Sequence, residues 1–183
     1  MVEAADDARI SDETLIGRTA AGDASAFGRL VRRHQGAVYR FIRAASPGEP
    51  EEILYETFAA ARRIALRYRD EASARTWLLA LARRAIDRRY PQRETEATSL
   101  RELARIAGEG LLVENGALTS IFEALPPEDR EILTLCDREY FTVDEAARVT
   151  GLSEPAVRSR LHRARLRLLS RWKARRKADG LAG

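Results

Sequence analysis

Apolar residues recur along this chain at the three-and-four spacing of helices, and no strand-like alternation persists. Residues 12–21 predict a short helix. Gly22 breaks it, and Asp23 is placed to cap the next one, which runs to about residue 44 with Phe27, Leu30, Val31, Val38, Phe41 and Ile42 mostly on one stripe. Ser46-Pro47-Gly48-Glu49-Pro50 predicts a turn. A third helix over about residues 51–67 carries Ile53, Leu54, Phe58, Ala61 and Ile64 on its apolar side. Residues 68–74 read as a charged loop. A fourth helix over 76–90 holds Trp77, Leu78, Leu81, Ala82, Ala85 and Ile86 at helical spacing, and Pro91 ends it.

The pattern then changes. Residues 91–116 are polar and acidic, with Gly108, Gly110 and Gly116, and read as a linker with a helical piece near residues 100–106. A second helical unit begins near Leu118. Pro126-Pro127 separates residues 121–125 from a helix over 128–137. Thr142-Val143-Asp144-Glu145 is a capping box, with Thr142 as N-cap and Glu145 three positions on. The helix it opens stops near Gly151. Ser153 is placed to cap a final helix reaching about residue 176, whose first turn tolerates Pro155. The expected fold is all-α: two small helical domains, residues 1–90 and 118–183, joined by a flexible linker over 91–117.

Composition narrows the possibilities. The chain has 183 residues, and 45% apolar content is enough for a modest core in each unit. No apolar run is long enough to span a membrane, and no secretory leader is expected. Cys136 is the only cysteine, which excludes an internal disulfide and suits a reducing cytoplasm. It lies near Leu133 and Leu135 and is expected to be packed rather than reactive. One cysteine with the widely spaced His34 and His162 makes no structural zinc site, and no cofactor is expected.

Charge is informative only when sorted by position. The net is +4, from 32 Lys+Arg against 28 Asp+Glu. Residues 91–118 carry a net of −2, whereas residues 158–177 hold ten basic side chains and no acidic one. So many like charges on one helix repel, and a polyanion relieves that repulsion. All basic residues but Lys173 and Lys177 are arginine, which favours forked, oriented contacts, although genomic base composition also gives such a bias.

Residues 142–163 have a specific geometry. A short capped helix, a turn at Gly151 and a second helix bring Ala147, Leu152, Val157 and Leu161 to the spacing of a helix-turn-helix. An ordinary helical hairpin would share that spacing. The basic second helix argues for the DNA-binding form. Arg158, Ser159, His162 and Arg163 fall opposite the Val157–Leu161 stripe. Arginine can fork onto guanine O6 and N7, and Ser159 with the helix N-terminus can hold phosphate. Arg165, Arg167, Arg171 and Lys173 are expected to meet DNA backbone or solvent.

The run Leu125-Pro126-Pro127-Glu128-Asp129-Arg130-Glu131-Ile132-Leu133, followed by Ser159-Arg160-Leu161-His162-Arg163-Ala164-Arg165, resembles region 4 of bacterial extracytoplasmic-function (ECF) sigma factors of the sigma-70 family. Ala21-Gly22-Asp23 with Ala26-Phe27, Val38-Tyr39-Arg40, Glu56-Thr57-Phe58, and Thr76-Trp77-Leu78 with the run from Ala82 to Asp87 are similar to region 2 of that family. The resemblance covers about residues 12–90 and 118–173 in order.

It implies a dissociable RNA polymerase subunit, not an enzyme, that directs the core to promoters and assists DNA opening. Ser153, Arg158, Ser159, His162 and Arg163 would read the −35 element as duplex. Tyr68, Arg69, Arg83, Arg84, Asp87 and Arg88 would serve the −10 element. Arg83, Arg84, Arg88 and Arg89 could follow phosphates or simply form a solvated face. Trp77 could stack on a base but fits core packing better. Glu52, Ile53, Leu54, Tyr55 and Glu56 would dock on the β′ clamp helices of core polymerase, with further contact to the β subunit. Ile53, Leu54 and Phe58 could instead be core, the reading favoured for Phe58. An anti-sigma partner is implied, able to hold a cytoplasmic chain at the membrane.

Four positions depart from the family pattern. Tyr55 stands where an amide is usual, Arg84 where asparagine is usual, and Pro155-Ala156 where Gly-Thr is usual. The alternative function is a helix-turn-helix regulator that binds DNA without joining polymerase. A processing enzyme needs a catalytic cluster in the first 90 residues. His34 has no nucleophile at a motif spacing, and Glu51, Glu52 and Glu56 look like a docking face.

Overall fold

The computed structural model describes residues 10–69, 71–91 and 116–178. The linker expected over 91–117 therefore lies almost wholly outside the described residues, as does its helical piece. Eight α-helices and no strand occur among the described residues. They are α1 (Asp12–Ala20), α2 (Ala24–Ala45), α3 (Pro50–Ile64), α4 (Ala74–Arg89), α5 (Gly116–Glu123), α6 (Pro127–Leu133), α7 (Val143–Thr150) and α8 (Glu154–Ala178). None is long and apolar enough to cross a membrane.

Local chemistry sets the helix boundaries. Gly22 turns the chain at φ +93, a conformation costly for any residue with a Cβ. Asp23 then caps α2, its Oδ1 accepting from the Ala26 amide at 3.0 Å. Arg18 Nε donates to the other carboxylate oxygen at 2.8 Å. The Ala26 amide first, and Arg18 second, hold this carboxyl below its ordinary range. Pro50 opens α3 at a position where a missing amide hydrogen costs nothing. The third helix ends at Ile64, and residues 65–67 tighten into a 3-10 turn rather than continuing it. Ser73 caps α4, so this helix starts two residues before the sequence pattern suggests.

In the first unit, Leu15 and Ile16 of α1 pack with Ala26 and Leu30 of α2, Ala65 and Ala74 in a small cluster. The larger core begins with Val38, Phe41 and Ile42 of α2, Ile53 and Phe58 of α3, and Leu78, Leu79 and Ile86 of α4. It continues without a break into the second unit through Leu125, Ile132, Leu135, Phe141, Ala146, Val157 and Leu161. Each buried aliphatic side chain contributes about 1.5–3 kcal/mol relative to exposure. The two units share one apolar interior: α6 lies against α2, and α7 lies against α4.

The helix expected over 128–137 is not regular to its end. After Leu133 the chain winds as a π turn through Thr134–Arg138, closed by the Glu139 amide donating to the Thr134 carbonyl at 2.9 Å. Tyr140 follows in the left-handed region at φ 57. The Phe141 amide then returns to the Leu135 carbonyl at 2.9 Å. Glu139, just after this turn, and Phe141 are both buried.

Candidate nucleic-acid interface

The helix-turn-helix forms as its spacing predicts. The Thr142 hydroxyl accepts from the Glu145 amide at 3.2 Å, and the Glu145 carboxylate accepts from the Thr142 amide at 2.9 Å, closing the capping box. Gly151 ends α7 at φ +73, and α8 begins three residues later. The Ser153 carbonyl accepts from the Val157 amide at 3.0 Å as α8 starts, and the Ser153 side chain is exposed.

Val157, Leu161 and Ala164 bury one stripe of α8. Arg158, Ser159, His162 and Arg163 are all exposed on the other side, and Ser153 is exposed just ahead of the helix. Arg158 Nη2 is already engaged, donating to Glu154 Oε2 at 2.5 Å one turn earlier. Arg163 has no ion-pair partner among the described residues.

The ten basic residues of 158–177 are less isolated than the local sequence suggests. Arg165 Nη2 meets Asp137 at 2.5 Å, and Arg167 Nη1 meets Asp129 at 2.6 Å. These carboxylates arrive from α6 and the π turn, out of sight of a window along α8. Arg165 and Arg167 thus make ion pairs within the second unit, not only the solvent or backbone contacts expected.

The expected −10 surface divides. Arg69, Arg84, Asp87 and Arg88 are exposed. Tyr68 is half-buried, donates to the Ala72 carbonyl at 2.7 Å, and meets the Trp77 ring edge-on at 5.1 Å between centroids. Trp77 touches both apolar clusters, which matches the packing role. Arg83 turns inward: its Nε lies 2.6 Å from Glu131 Oε1 and its guanidinium also pairs with Asp87. Sequence reasoning placed Arg83 on the outer face because Glu131 lies 48 positions away in the chain.

The expected polymerase-docking residues divide too. Ile53 is fully buried and belongs to the core, along with Phe58. Leu54 is half-buried, while Tyr55 is 78% exposed. Arg89 of α4 bridges Glu52 and Glu56, lying 3.2 Å from Glu56 Oε1. The outward face of α3 is therefore Tyr55 flanked by two neutralised carboxylates.

Two further groups were ambiguous or unassigned. His34 is buried with its Nε2 2.8 Å from Asp12 Oδ2. Burial lowers its pKa despite that carboxylate, which gives it a structural place in the α1–α2 contact. Cys136 is half-buried against the core, and burial raises its thiol pKa. Glu131 and Glu139 received no role from the sequence. The available signal was register, since both fall four positions from the fully buried Leu135.

Comparison with known proteins agrees with this architecture. The family model for sigma-70, region 4, matches residues 115–168. The ECF RNA polymerase sigma factor SigM of Mycobacterium tuberculosis is 30% identical over 162 residues, covering 86% of this chain and 83% of that protein. The structure of CnrH in complex with the cytosolic domain of CnrY superposes with a TM-score of 0.64 at 29% identity, covering 89% of this chain and 97% of that one. The sigma factor RpoE of Bartonella quintana, solved with the anti-sigma factor NepR, shares the fold with a TM-score of 0.63 at 18% identity over 80% of this chain and 96% of that one. An all-helical chain with an open helix-turn-helix, an α3 face beside Arg89 and this likeness along most of its length belongs to the ECF RNA polymerase sigma factors.

Proposed function

We propose that this chain joins core RNA polymerase and directs it to promoters through two units, residues 1–90 as region 2 and residues 118–183 as region 4, joined by residues 91–117. The observation that carries the reading is the open face of α8, where Arg158, Ser159, His162 and Arg163 stand clear of a buried Val157–Leu161–Ala164 stripe. A helix so presented fits the major groove, with the arginines toward base edges and Ser153 and Ser159 toward phosphate. Arg69, Arg84 and Arg88 suit the −10 strand. Tyr55 with Leu54, Glu52 and Glu56 suits the β′ clamp helices, with added contact to the β subunit.

The chain is a binding subunit of the cytoplasm rather than an enzyme. An anti-sigma factor fits as a further partner, since solved relatives are described in complex with CnrY and NepR. The deciding experiment is transcription by core polymerase plus this protein on a genomic promoter library. Promoter-dependent transcripts sharing one −35 and one −10 sequence are expected. Tight operator binding by the free chain, with no association with core polymerase, would favour the regulator instead.

A further inference from the structure

The outward face of α8 does not end at Arg163. On an α-helix, positions i, i+3, i+4 and i+7 share one side. Ser159, His162 and Arg163 occupy the first three of these positions, and Leu166 occupies the fourth. Helices that lie along the major groove read base edges with this same set. Leu166 is 53% exposed, an apolar group standing in water on an otherwise polar face.

A lone exposed leucine is ordinary, but the neighbours of this one are not. Arg165 and Arg167 flank it in the chain and have the length to reach round to the groove side. Both are drawn back toward the body of the second unit instead. Arg165 Nη2 lies 2.5 Å from Asp137 Oδ1, and Arg167 Nη1 lies 2.6 Å from Asp129 Oδ2. Leu168 packs against the core. Leu166 is therefore the outward group of this turn, directly beyond His162 and Arg163.

The chemistry of the groove limits what such a group can meet. Guanine, adenine and cytosine are marked there by hydrogen-bonding atoms, and covering these with a side chain that cannot pair leaves them unsatisfied. Thymine alone presents a methyl group. Three residues advance a helix by about 4.5 Å, against about 3.4 Å between successive bases. The base beneath Leu166 thus lies about one or two pairs from the base beneath Arg163.

We propose that Leu166 is a specificity-determining residue that selects a thymine by its C5 methyl next to the base met by Arg163, an assignment that rests on α8 being the −35 helix. Arg158 and Arg163 suit guanine, so Leu166 adds a base preference that the arginines of this face do not supply.

Removing that methyl alone provides the test. The promoter selected by core polymerase with this protein is made with each thymine of the −35 element replaced in turn by deoxyuridine, which keeps every hydrogen-bonding atom. Binding is read by competition with the unmodified promoter, for the wild-type chain, Leu166→Ala and Leu169→Ala, each in complex with core polymerase. Both leucines are exposed, so neither truncation opens a void in the core. The wild-type complex is expected to lose about fourfold at one thymine, the worth of one buried methyl. Leu166→Ala should lose this discrimination, and Leu169→Ala should keep it. A −35 element with no methyl-sensitive thymine, or a sensitivity that Leu166→Ala leaves unchanged, would overturn the assignment. Weaker polymerase recruitment by both variants at unchanged methyl sensitivity would make the two leucines a protein contact instead. Failure of the sigma reading would look different: no promoter would be selected, and the same deoxyuridine scan on a duplex bound by the free chain would then decide the role of Leu166.

Discussion

At the scale of single residues, the partner of each arginine decides what its loss should do. Among the described residues Arg163 has no ion pair to break before reaching DNA, whereas Arg158 must leave Glu154. Arg163→Ala should cost about 1–3 kcal/mol in −35 recognition, the usual worth of a bidentate base contact. Arg158→Ala should cost toward the lower end, because what Arg158 gains on DNA is partly offset by the Glu154 pair it must leave. Run-off transcription on promoters with single −35 changes reads both, and unchanged selectivity would remove the residue from the base-reading set. Cys136 makes a chemical prediction of the same grain. Its half-buried site and raised thiol pKa keep the thiolate scarce at neutral pH. Labelling of the native protein should be much slower than of the unfolded chain, and equal rates would contradict the packing seen here.

At the scale of elements, α3 separates what docks from what supports docking. Ile53 points into the core, so replacing it with aspartate would damage the fold before it reported on polymerase. Tyr55→Ala removes an exposed aromatic without touching the interior. Its expected cost is about 2 kcal/mol in core-polymerase affinity if Tyr55 is a central anchor. Leu54→Asp with Glu56→Arg should weaken binding as well, while the helix content persists. A pull-down unaffected by either variant would move the docking face off α3. The helices themselves were legible in the sequence because capping and apolar period agree: Asp23, the Thr142–Glu145 box and Gly151 all act as their residue types predict. Side-chain direction was legible only where neighbours in sequence determine it. Val157 and Leu161 could be placed from spacing alone. Arg83, Arg165 and Arg167 could not, because each is turned by a carboxylate from a distant segment. The π turn was also hidden, since one residue beyond the α repeat leaves no compositional mark.

At the scale of the whole molecule, the closed arrangement couples the association of the two units to pH through Glu139. Burial opposes ionisation of this carboxyl, but Arg40 and then Arg75 outweigh burial and hold its pKa below the usual glutamate value. An unfolded glutamate titrates near 4.3. Glu139 therefore contributes its full stabilisation above about pH 4.3, and that contribution is lost as the pH falls through the lower native value. Neutralising the carboxyl leaves Arg40 and Arg75 facing a protonated acid and each other, so the junction is the part of the fold most exposed to this loss. Titrating the wild-type chain from neutral pH downward, with scattering to follow separation of the units, should show opening on the acid side. Glu139→Gln has no carboxyl to protonate. It should begin more open at neutral pH and show a smaller further change on acidification, while the helices of each unit keep their circular dichroism. Coincident acid transitions in the two proteins would mean that Glu139 does not govern the junction and that other carboxylates carry the pH dependence.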